Sequence, residues 1–274
     1  MKLKDSLYLL FLFTMAEGFA IGEHMPAGGR AMAMGGCSVA ISDFWSISNN
    51  QAGGAWLKGI SAGLYAENSF LLKELMFEQV GVCLGIRAGT FGLIVNRFGD
   101  NRYNEIKAGL SYARKFGKCF SVGVQMNYLR INVAEDYGTR NLLSCEIGLM
   151  YQSANHLAIG VHLLNPIPVK ITDHPAEQLP IIVLVGLSYR FSEMFIATLE
   201  AEKDLEHKLL FRAGTEYRFA KSIYARLGIA SNPMSFTFGF GLEFGKIKAD
   251  LASEYHQALG FSPSVSIIYS IKTK

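Results

Sequence analysis

The stretch Ser235–Gly245, SFTFGFGLEFG, alternates large apolar residues with small or polar ones. Its apolar set comprises Phe236, Phe238, Phe240, Leu242 and Phe244. The intervening set comprises Thr237, Gly239, Gly241 and Glu243. Because successive side chains of a strand point to opposite faces of the sheet, the stretch predicts a β-strand with one wholly apolar face.

About 14 segments with this alternation are predicted between residues 58 and 273, separated by turn signals such as Asn232-Pro233 and Gly245-Lys246. Most run for about ten residues, longer than the five or six usual in soluble sheets and suited to a tilted strand in a membrane. An open sheet edge cannot stay unpaired in lipid. The sequence therefore predicts an all-β fold, a closed antiparallel transmembrane β-barrel of about 14 strands. A soluble β-sandwich or propeller is the alternative, and it does not need such long apolar faces.

The N-terminus has the pattern of an export signal. Lys2 and Lys4 form a basic start, Leu7–Met15 form an apolar centre, and Gly18-Phe19-Ala20 offers small residues at a cleavage site. The apolar run is about half of the roughly 20 residues that a spanning helix needs. Residues 1–20 are therefore predicted to be a signal peptide cleaved after Ala20, and the mature barrel is predicted to lie in the outer membrane of a Gram-negative cell.

The overall composition excludes several classes of protein. The 274 residues carry a net charge of only +3 without a basic cluster, which disfavours nucleic-acid binding. The four cysteines, at positions 37, 83, 119 and 145, match neither a disulfide framework nor a zinc motif. They are interpreted as small hydrophobic side chains.

The stretch Ala27–Leu57, between the export signal and the first predicted strand, is rich in Gly, Ala and Ser. Its residues are too small to build a core of their own and too apolar for a solvated linker. We therefore expect it to pack inside another part of the protein, and the predicted barrel is large enough to enclose it.

Three features of this stretch carry a family resemblance: Gly35-Gly36, Asp43 and the run Asn50–Ala55. In this pattern the chain resembles the FadL-like outer-membrane β-barrel family and, within it, the PorV/PorQ-type branch of Bacteroidetes. Gln51 stands where the family usually has Pro, and Gly54 stands where it usually has Leu. The resemblance covers nearly the whole mature chain and implies a 14-stranded barrel, in agreement with the strand count.

The resemblance further implies that residues 21–57 form a plug in the lumen of a barrel built from residues 58–274. The plug residues that it indicates are Gly35, Gly36, Asp43, Trp45, Asn49, Asn50, Gln51, Ala52 and Gly53. Glycine and alanine allow a backbone to pack closely inside a filled barrel. The plug is either a hatch that moves to pass a hydrophobic ligand or a permanent stopper, and the departures at Gln51 and Gly54 favour the stopper.

Charged residues occur on the predicted lumen face of the C-terminal strands. They are Arg212, Glu216, Arg218, Arg226, Lys248, Asp250, Glu254 and His256. Because both signs occur on neighbouring strands, we predict an interior ladder of paired charges, as barrel interiors are ordinarily polar. A polar substrate path is the alternative, although balanced signs supply no charge filter.

No enzyme activity, cofactor or metal is predicted. Ser253 and His256 lie on opposite faces of one strand, so they cannot pair as nucleophile and base within it. His156 and His162 share a face but lack a metal-ligand motif.

Two functions remain open at this level. The first is an accessory or docking subunit of an outer-membrane protein-handling complex, as PorV and PorQ serve type IX secretion. The alternative is a FadL-like channel for hydrophobic small molecules. The short predicted connections offer little material for an apolar entrance and favour the first. The apolar residues of Leu71–Phe77, namely Leu71, Leu72, Leu75, Met76 and Phe77, are predicted to form either a short amphipathic docking helix or a contact with the membrane surface. The expected partners are outer-membrane lipid, a protein partner and a hydrophobic ligand, without nucleic acid.

Overall fold

The computed structural model describes residues 24–133, 138–153, 156–173, 176–205 and 208–271. The predicted signal peptide, residues 1–20, lies outside the described residues.

From residue 24 onward, three short helices precede the first strand: α1 (Gly29–Ala33), α2 (Ser46–Asn49) and α3 (Gln51–Gly54). The strands of the first half are β1 (Gly59–Asn68), β2 (Met76–Ile86), β3 (Gly89–Gly99), β4 (Tyr103–Phe116), β5 (Phe120–Val133), β6 (Gly138–Gln152), β7 (Leu157–Leu164), β8 (Lys170–Asp173) and β9 (Ala176–Gln178). Those of the second half are β10 (Ile182–Arg190), β11 (Phe195–Asp204), β12 (Leu210–Ala220), β13 (Ile223–Ala230), β14 (Ser235–Phe244), β15 (Ile247–His256) and β16 (Gly260–Ile271).

Within the described residues, fourteen strands form one closed antiparallel barrel. Each strand pairs with its neighbour in sequence, except that β7 pairs with β10 and the short β8 and β9 form a separate two-stranded sheet. The barrel closes where β1 pairs with β16, from Ile60 opposite Ile271 to Glu67 opposite Ser264. This architecture confirms the predicted closed barrel and its strand number.

The two faces of the barrel wall have the polarity expected in a membrane. On β14, Phe240 is 61% exposed on the outer face, whereas Thr237 is 4% exposed on the inner face. The same alternation runs around the wall, so large apolar side chains cover the outside and polar ones point inward. This arrangement is the inverse of a water-soluble protein, and it buries the apolar face in lipid. No helix in the described ranges is long and apolar enough to cross a membrane.

The two ends of the barrel differ in their connections. At one end two-residue turns join β12 to β13 and β14 to β15, and both Gly59 and Ile271 lie there. The other end carries the longer connections, including residues 69–75 and 165–181. Since outer-membrane barrels have short periplasmic turns and longer extracellular loops, we call the first the periplasmic end and the second the extracellular end.

The connection from β7 to β10, residues 165–181, folds over the extracellular mouth and carries β8 and β9. Its side chains Ile171 and Leu179 are buried against the inward-facing Leu129 and Ile131 of β5. This connection is therefore longer than the short connections that were predicted, and it turns into the barrel, where its apolar side chains pack against the wall.

The connection from β1 to β2 also differs from its prediction. Instead of a docking helix over Leu71–Phe77, it contains two single 3₁₀ turns, Ser69–Leu71 and Lys73–Leu75, and β2 begins at Met76. Leu71 and Leu72 are exposed, whereas Phe77 is buried in the lumen. The segment is too short and too irregular for an amphipathic helix because its apolar residues divide between solvent and lumen.

We predict that Phe240→Arg, near the middle of β14, destabilises the barrel by about 2–4 kcal/mol, because a charge then faces lipid near the bilayer midplane. Phe244→Arg, at the end of the same strand, is the matched control, with an expected cost of about 0–1 kcal/mol. Urea unfolding from lipid vesicles measures both. Equal destabilisation by the two substitutions contradicts a membrane position for this face.

Candidate functional site

The N-terminal segment, residues 24–57, lies in the barrel lumen. Its backbone amides bond to inward-facing side chains of β14 and β11: Gly35 N donates to Thr237 Oγ1 (2.8 Å), and Ser38 N donates to Glu200 (2.8 Å). Thr237 Oγ1 in turn donates to the Ala33 carbonyl (3.1 Å). The wall therefore supplies the backbone partners that a short, irregular segment cannot supply for itself.

Glycines in the barrel wall allow the N-terminal segment to approach the backbone of the wall closely. A methyl group at Gly160 would lie 2.1 Å from the Val39 carbonyl oxygen, and one at Gly228 would lie 2.1 Å from Gly35 N. Ten inward-facing glycines on ten strands meet residues 33–52 of the segment in this way, and we call them the glycine belt: Gly63, Gly81, Gly92, Gly123, Gly148, Gly160, Gly186, Gly214, Gly228 and Gly239.

Four pairs within the glycine belt are direct cross-strand neighbours, for example Gly160 opposite Gly186 and Gly214 opposite Gly228. The belt was not predicted from the sequence. Its signal is a glycine in the interior of a strand, which marks a place where another backbone approaches closely.

Several of the sequence-predicted plug residues make specific contacts. The Asn49 side chain forms two hydrogen bonds with the backbone of Ala27, at 2.8 and 2.9 Å. Asn50 caps α3 by accepting from Ala52 N, and it donates to the Val39 carbonyl. Gly53 packs so close to Ser46 that a methyl group would lie 2.8 Å from its hydroxyl. These residues hold the segment's own turns together.

The remaining predicted plug residues face the wall or bind a charge. Gly35 and Gly36 have positive φ angles of 73° and 82°, which explains why both are glycine. Asp43 lies 3.4 Å from Arg30. Trp45 is 1% exposed and forms edge contacts with Phe44 and Tyr65.

Both departures from the family pattern can be located. Gln51 donates from Nε2 to Glu146 at 2.8 Å, so its amide ties the segment to β6, a bond that Pro could not make. Gly54 has ordinary space around it, with Ile47 3.7 Å and Ala113 3.9 Å from an added methyl group.

A buried chain of alternating charges joins α1 to the wall. Arg30 on α1 forms a two-pronged ion pair with Glu216 (2.7 and 2.8 Å). Glu216 also accepts from Arg226 (2.7 Å), and Arg226 donates to Asp250 (2.7 Å). Glu216, Arg226 and Asp250 are members of the predicted ladder, and they lie on β12, β13 and β15. Arg30 was not predicted, because it lies more than 180 residues from its partner.

A second buried cluster holds the middle of the segment. Arg212 of the predicted ladder pairs with Glu200 and Glu202 on β11. Glu200 also accepts from the backbone N–H groups of Ser38 and Val39 (2.8 Å each). His24 lies 3.2 Å from Glu202, so this cluster contacts the segment at two places.

A third cluster surrounds Glu146 on β6. Its carboxylate lies 2.8 Å from Asn127, 3.2 Å from Lys107 and 3.2 Å from His162, besides its bond to Gln51. Glu146 and Lys107 were not predicted, because they lie outside the C-terminal strands that carry the predicted ladder. Their inward position in the two-residue alternation is the signal that identifies them.

The other four predicted ladder residues do not join these clusters. Arg218 lies 3.8 Å from the exposed Glu193 at the periplasmic rim. His256 accepts from the backbone of its own turn, at Ala258 and Leu259. Lys248 lies over the ring of Tyr224, and Glu254 is partly buried on β15. The residues of the predicted ladder therefore divide between two separate clusters and positions near the strand ends.

Two cavities lie on opposite sides of the segment. The periplasmic cavity has a volume of about 400 Å³, and its lining includes Trp45, Phe44 and Ile268 together with Arg30 and Lys248. The extracellular cavity has a volume of about 70 Å³, and its lining includes His24, Ser48, Lys107, Leu129 and Leu179.

One short stretch of the segment, Trp45–Ser48, contributes to both cavities, and we call it the partition. Trp45 lines the periplasmic cavity, and Ser48, three residues later on α2, lines the extracellular cavity. Three residues of a helix rise by about 4.5 Å. The described residues include no group of three or more His, Cys, Asp or Glu side chains placed to hold a metal ion.

No family model matches the chain, and no curated protein matches it. Solved structures do. The Pseudomonas putida toluene transporter TodX aligns with a TM-score of 0.68 at 11% identity, over 93% of this chain and 100% of TodX. A Pseudomonas aeruginosa FadL homologue gives 0.69 at 11%, over 91% and 99%. The Ralstonia pickettii toluene transporter TbuX gives 0.61 at 14%, over 92% and 98%.

The chain has the fold of the FadL-type outer-membrane barrels. At these identities the similarity establishes the fold alone, and the assignment to the PorV/PorQ-type branch stays a prediction. The fold and the apolar outer face together place the barrel in the outer membrane.

We predict that Gly160→Ala costs about 1–3 kcal/mol, the usual cost of overpacking, because the added methyl group overlaps the Val39 carbonyl. Gly54→Ala is the control. It also adds one methyl group, in a short helix with ordinary space, and should be neutral or slightly stabilising. Unfolding midpoints in vesicles compare the two. A neutral Gly160→Ala contradicts the close contact between segment and wall.

Removing one residue from the buried chain of alternating charges should also lower the free energy of unfolding. Glu216→Gln leaves Arg30 and Arg226 without their shared carboxylate, and we expect a loss of about 3–5 kcal/mol. Glu193→Gln is the matched control, because the pair of Glu193 with Arg218 is exposed and should contribute about 0–1 kcal/mol. The free energy of unfolding measured for both variants tests the difference, and similar values for the two contradict it.

Proposed function

We propose that this protein is a passive outer-membrane channel for small hydrophobic molecules, with α2 and Trp45 of the N-terminal segment as its gate. The observation that carries the proposal is the partition of one helical turn between two cavities that lead toward opposite ends of the lumen. A passage through the lumen then requires only a local displacement.

The Trp45 side chain is held by packing alone, whereas α2 beside it is bonded by Asn49 to Ala27 and by Ser48 to Gln79 (3.4 Å). Among the described residues, the buried Trp45 indole N–H has no hydrogen-bond acceptor, and the ring rests on Gly28 and on its aromatic neighbours. By contrast, charged side chains hold α1 and residues 38–39. Packing without a polar anchor is easier to rearrange, since no buried donor or acceptor loses its partner. The segment therefore combines the two predicted roles of the plug. Its α1 and residues 38–39 form a fixed frame, which acts as the stopper, and Trp45 with α2 forms a small movable gate, which acts as the hatch.

The periplasmic cavity has the size that such a path needs. At about 400 Å³, it lies within the range of about 300–1,000 Å³ usual for small-molecule sites. The extracellular cavity is smaller, at about 70 Å³, and is partly walled by Leu129 and Leu179, which belong to the buried apolar cluster between β5 and residues 165–181. Toluene transporters with the same fold support a hydrophobic cargo.

The accessory-subunit interpretation rested mainly on short connections, and the inward fold of residues 165–181 removes that argument. The solved structures with this fold that are reported above are two toluene transporters and a FadL homologue, so they favour transport over docking. They are not enzymes, which supports a non-catalytic role. The two histidines in the lumen serve as partners of Glu202 and Glu146.

Uptake measurements test the gate. In cells that lack their own hydrocarbon channel, toluene uptake should rise above the empty-vector rate when this protein is present. Trp45→Ala should raise it further, by about tenfold for each 1.4 kcal/mol of barrier that the ring supplies. Trp56→Ala is the matched control, because Trp56 lies at the periplasmic end and donates to Ser121 outside the partition. Uptake equal to the empty vector contradicts the channel, and equal rates for the two variants contradict the gate.

Cys37 reports whether the whole segment moves. It is buried, and this burial raises the pKa of its thiol to about 12, so almost no thiolate is present at pH 8. We predict that maleimide labels the partly exposed Cys119 but leaves Cys37 unlabelled, with or without toluene. Trp45 fluorescence in a Trp56→Phe background should change when toluene is added. Rapid labelling of Cys37 in the presence of toluene contradicts a fixed frame.

A further inference from the structure

The charges at the two ends of the barrel are distributed unequally. Among the described residues, the periplasmic turns and adjoining strand ends carry ten Lys or Arg residues and two acids, Glu193 and Glu243. The ten basic residues are Lys58, Arg87, Arg114, Lys115, Lys118, Arg190, Arg218, Lys221, Lys246 and Lys248. This asymmetry contrasts with the small net charge of the whole chain, +3.

The excess is concentrated at β1–β5. Four exposed cations lie at the periplasmic ends of these strands, and we call them the basic rim: Lys58, Arg87, Arg114 and Lys118. No Asp or Glu occurs in residues 56–60, 84–91 or 112–122, which form this part of the rim. Lys115 belongs to the same turn, but its ammonium lies 3.9 Å from the centre of the Trp56 ring.

The basic rim adjoins the lipid-facing surface. Arg114 lies on the outer face of β4, between Tyr112 and the exposed Phe116 in the two-residue alternation. Phe91 and Phe120 are exposed on the neighbouring strands β3 and β5. Aromatic side chains at this level mark the membrane–water interface, and a long cationic side chain beside them reaches toward the headgroups.

The extracellular ends of the same strands lack this excess. The exposed cations at that end of β3–β6 include Arg97, Arg102, Arg130 and Arg140, but acids lie among them: Glu78 stands opposite Arg97 in the strand register, and Asp100 lies in the turn between Arg97 and Arg102. An anion that approaches that end meets charges of both signs, whereas at the basic rim it meets only cations.

We propose that the basic rim binds the phosphate headgroups of anionic phospholipids in the periplasmic leaflet. The charge complements such headgroups, and the site is continuous with the surface that the acyl chains cover. A cation near an anionic bilayer surface contributes about 1 kcal/mol, so four of them give a clear preference over zwitterionic lipid. Arg114 lies on the lipid-facing surface itself, and the other three cations lie at or next to the turns beside it, which suits a ring of lipids better than a soluble acidic protein below the barrel.

Native mass spectrometry of the whole barrel, released from detergent micelles that contain phosphatidylglycerol and phosphatidylcholine with the same acyl chains, tests this inference. The wild type should retain phosphatidylglycerol preferentially, by at least about fivefold, the factor expected from one such cation. The rim variant Lys58→Gln, Arg87→Gln, Arg114→Gln, Lys118→Gln should lose the preference.

The matched control removes four arginines from the extracellular ends of β3–β6, with Arg97→Gln, Arg102→Gln, Arg130→Gln and Arg140→Gln. It changes the net charge equally and should keep the preference. Equal retention of the two lipids by the wild type overturns the proposal and leaves an acidic protein as the partner to seek. Loss of the preference in the control variant instead of the rim variant also overturns it, because the anion site then lies at the opposite end.

Discussion

Close contact between the backbone of the N-terminal segment and the backbone of the barrel wall is the constraint on which the rest of this structure depends. Ten strands carry a glycine where the segment passes, so residues 33–52 reach the wall at distances that a single methyl group would prevent at most of these positions. Close packing of this kind fills the lumen with few atoms. A segment with larger side chains would require a wider barrel, or it would make fewer contacts with the wall.

Buried charges then fix the segment in one position. Arg30 bonds to Glu216, the amides of Ser38 and Val39 bond to Glu200, and Gln51 bonds to Glu146, so the adjacent strands β11 and β12 and the more distant β6 each hold one part of the segment. A buried charge without its partner is costly, so these contacts oppose displacement of the whole segment. The Trp45 side chain lacks such a contact and lines the periplasmic cavity, which is why we assign the movable part of a channel to it and to the neighbouring α2.

The fold could be read from the sequence because a lipid-facing strand has a strict two-residue pattern, and Ser235–Gly245 shows it without interruption. The site could be read only in part. Arg212, Glu216, Arg226 and Asp250 follow the same alternation, but their partners Arg30 and Glu200 come from a segment and a strand whose positions depend on tertiary packing. The inward fold of residues 165–181 was missed because a loop's direction is not encoded in a local period. The glycine belt was visible as interior-strand glycines, yet its meaning depends on the segment beside it.

Hydrogen exchange of the N-terminal segment in lipid tests the central claim most directly, because amide protection reports whether a region opens independently of the fold. The account predicts that the amides of Gly35, Ser38 and Val39, which bond to Thr237 and Glu200, exchange as slowly as those of β12 and β14. Exchange of these three amides at the rate of an exposed loop, with the barrel strands still protected, would contradict a segment fixed to the wall.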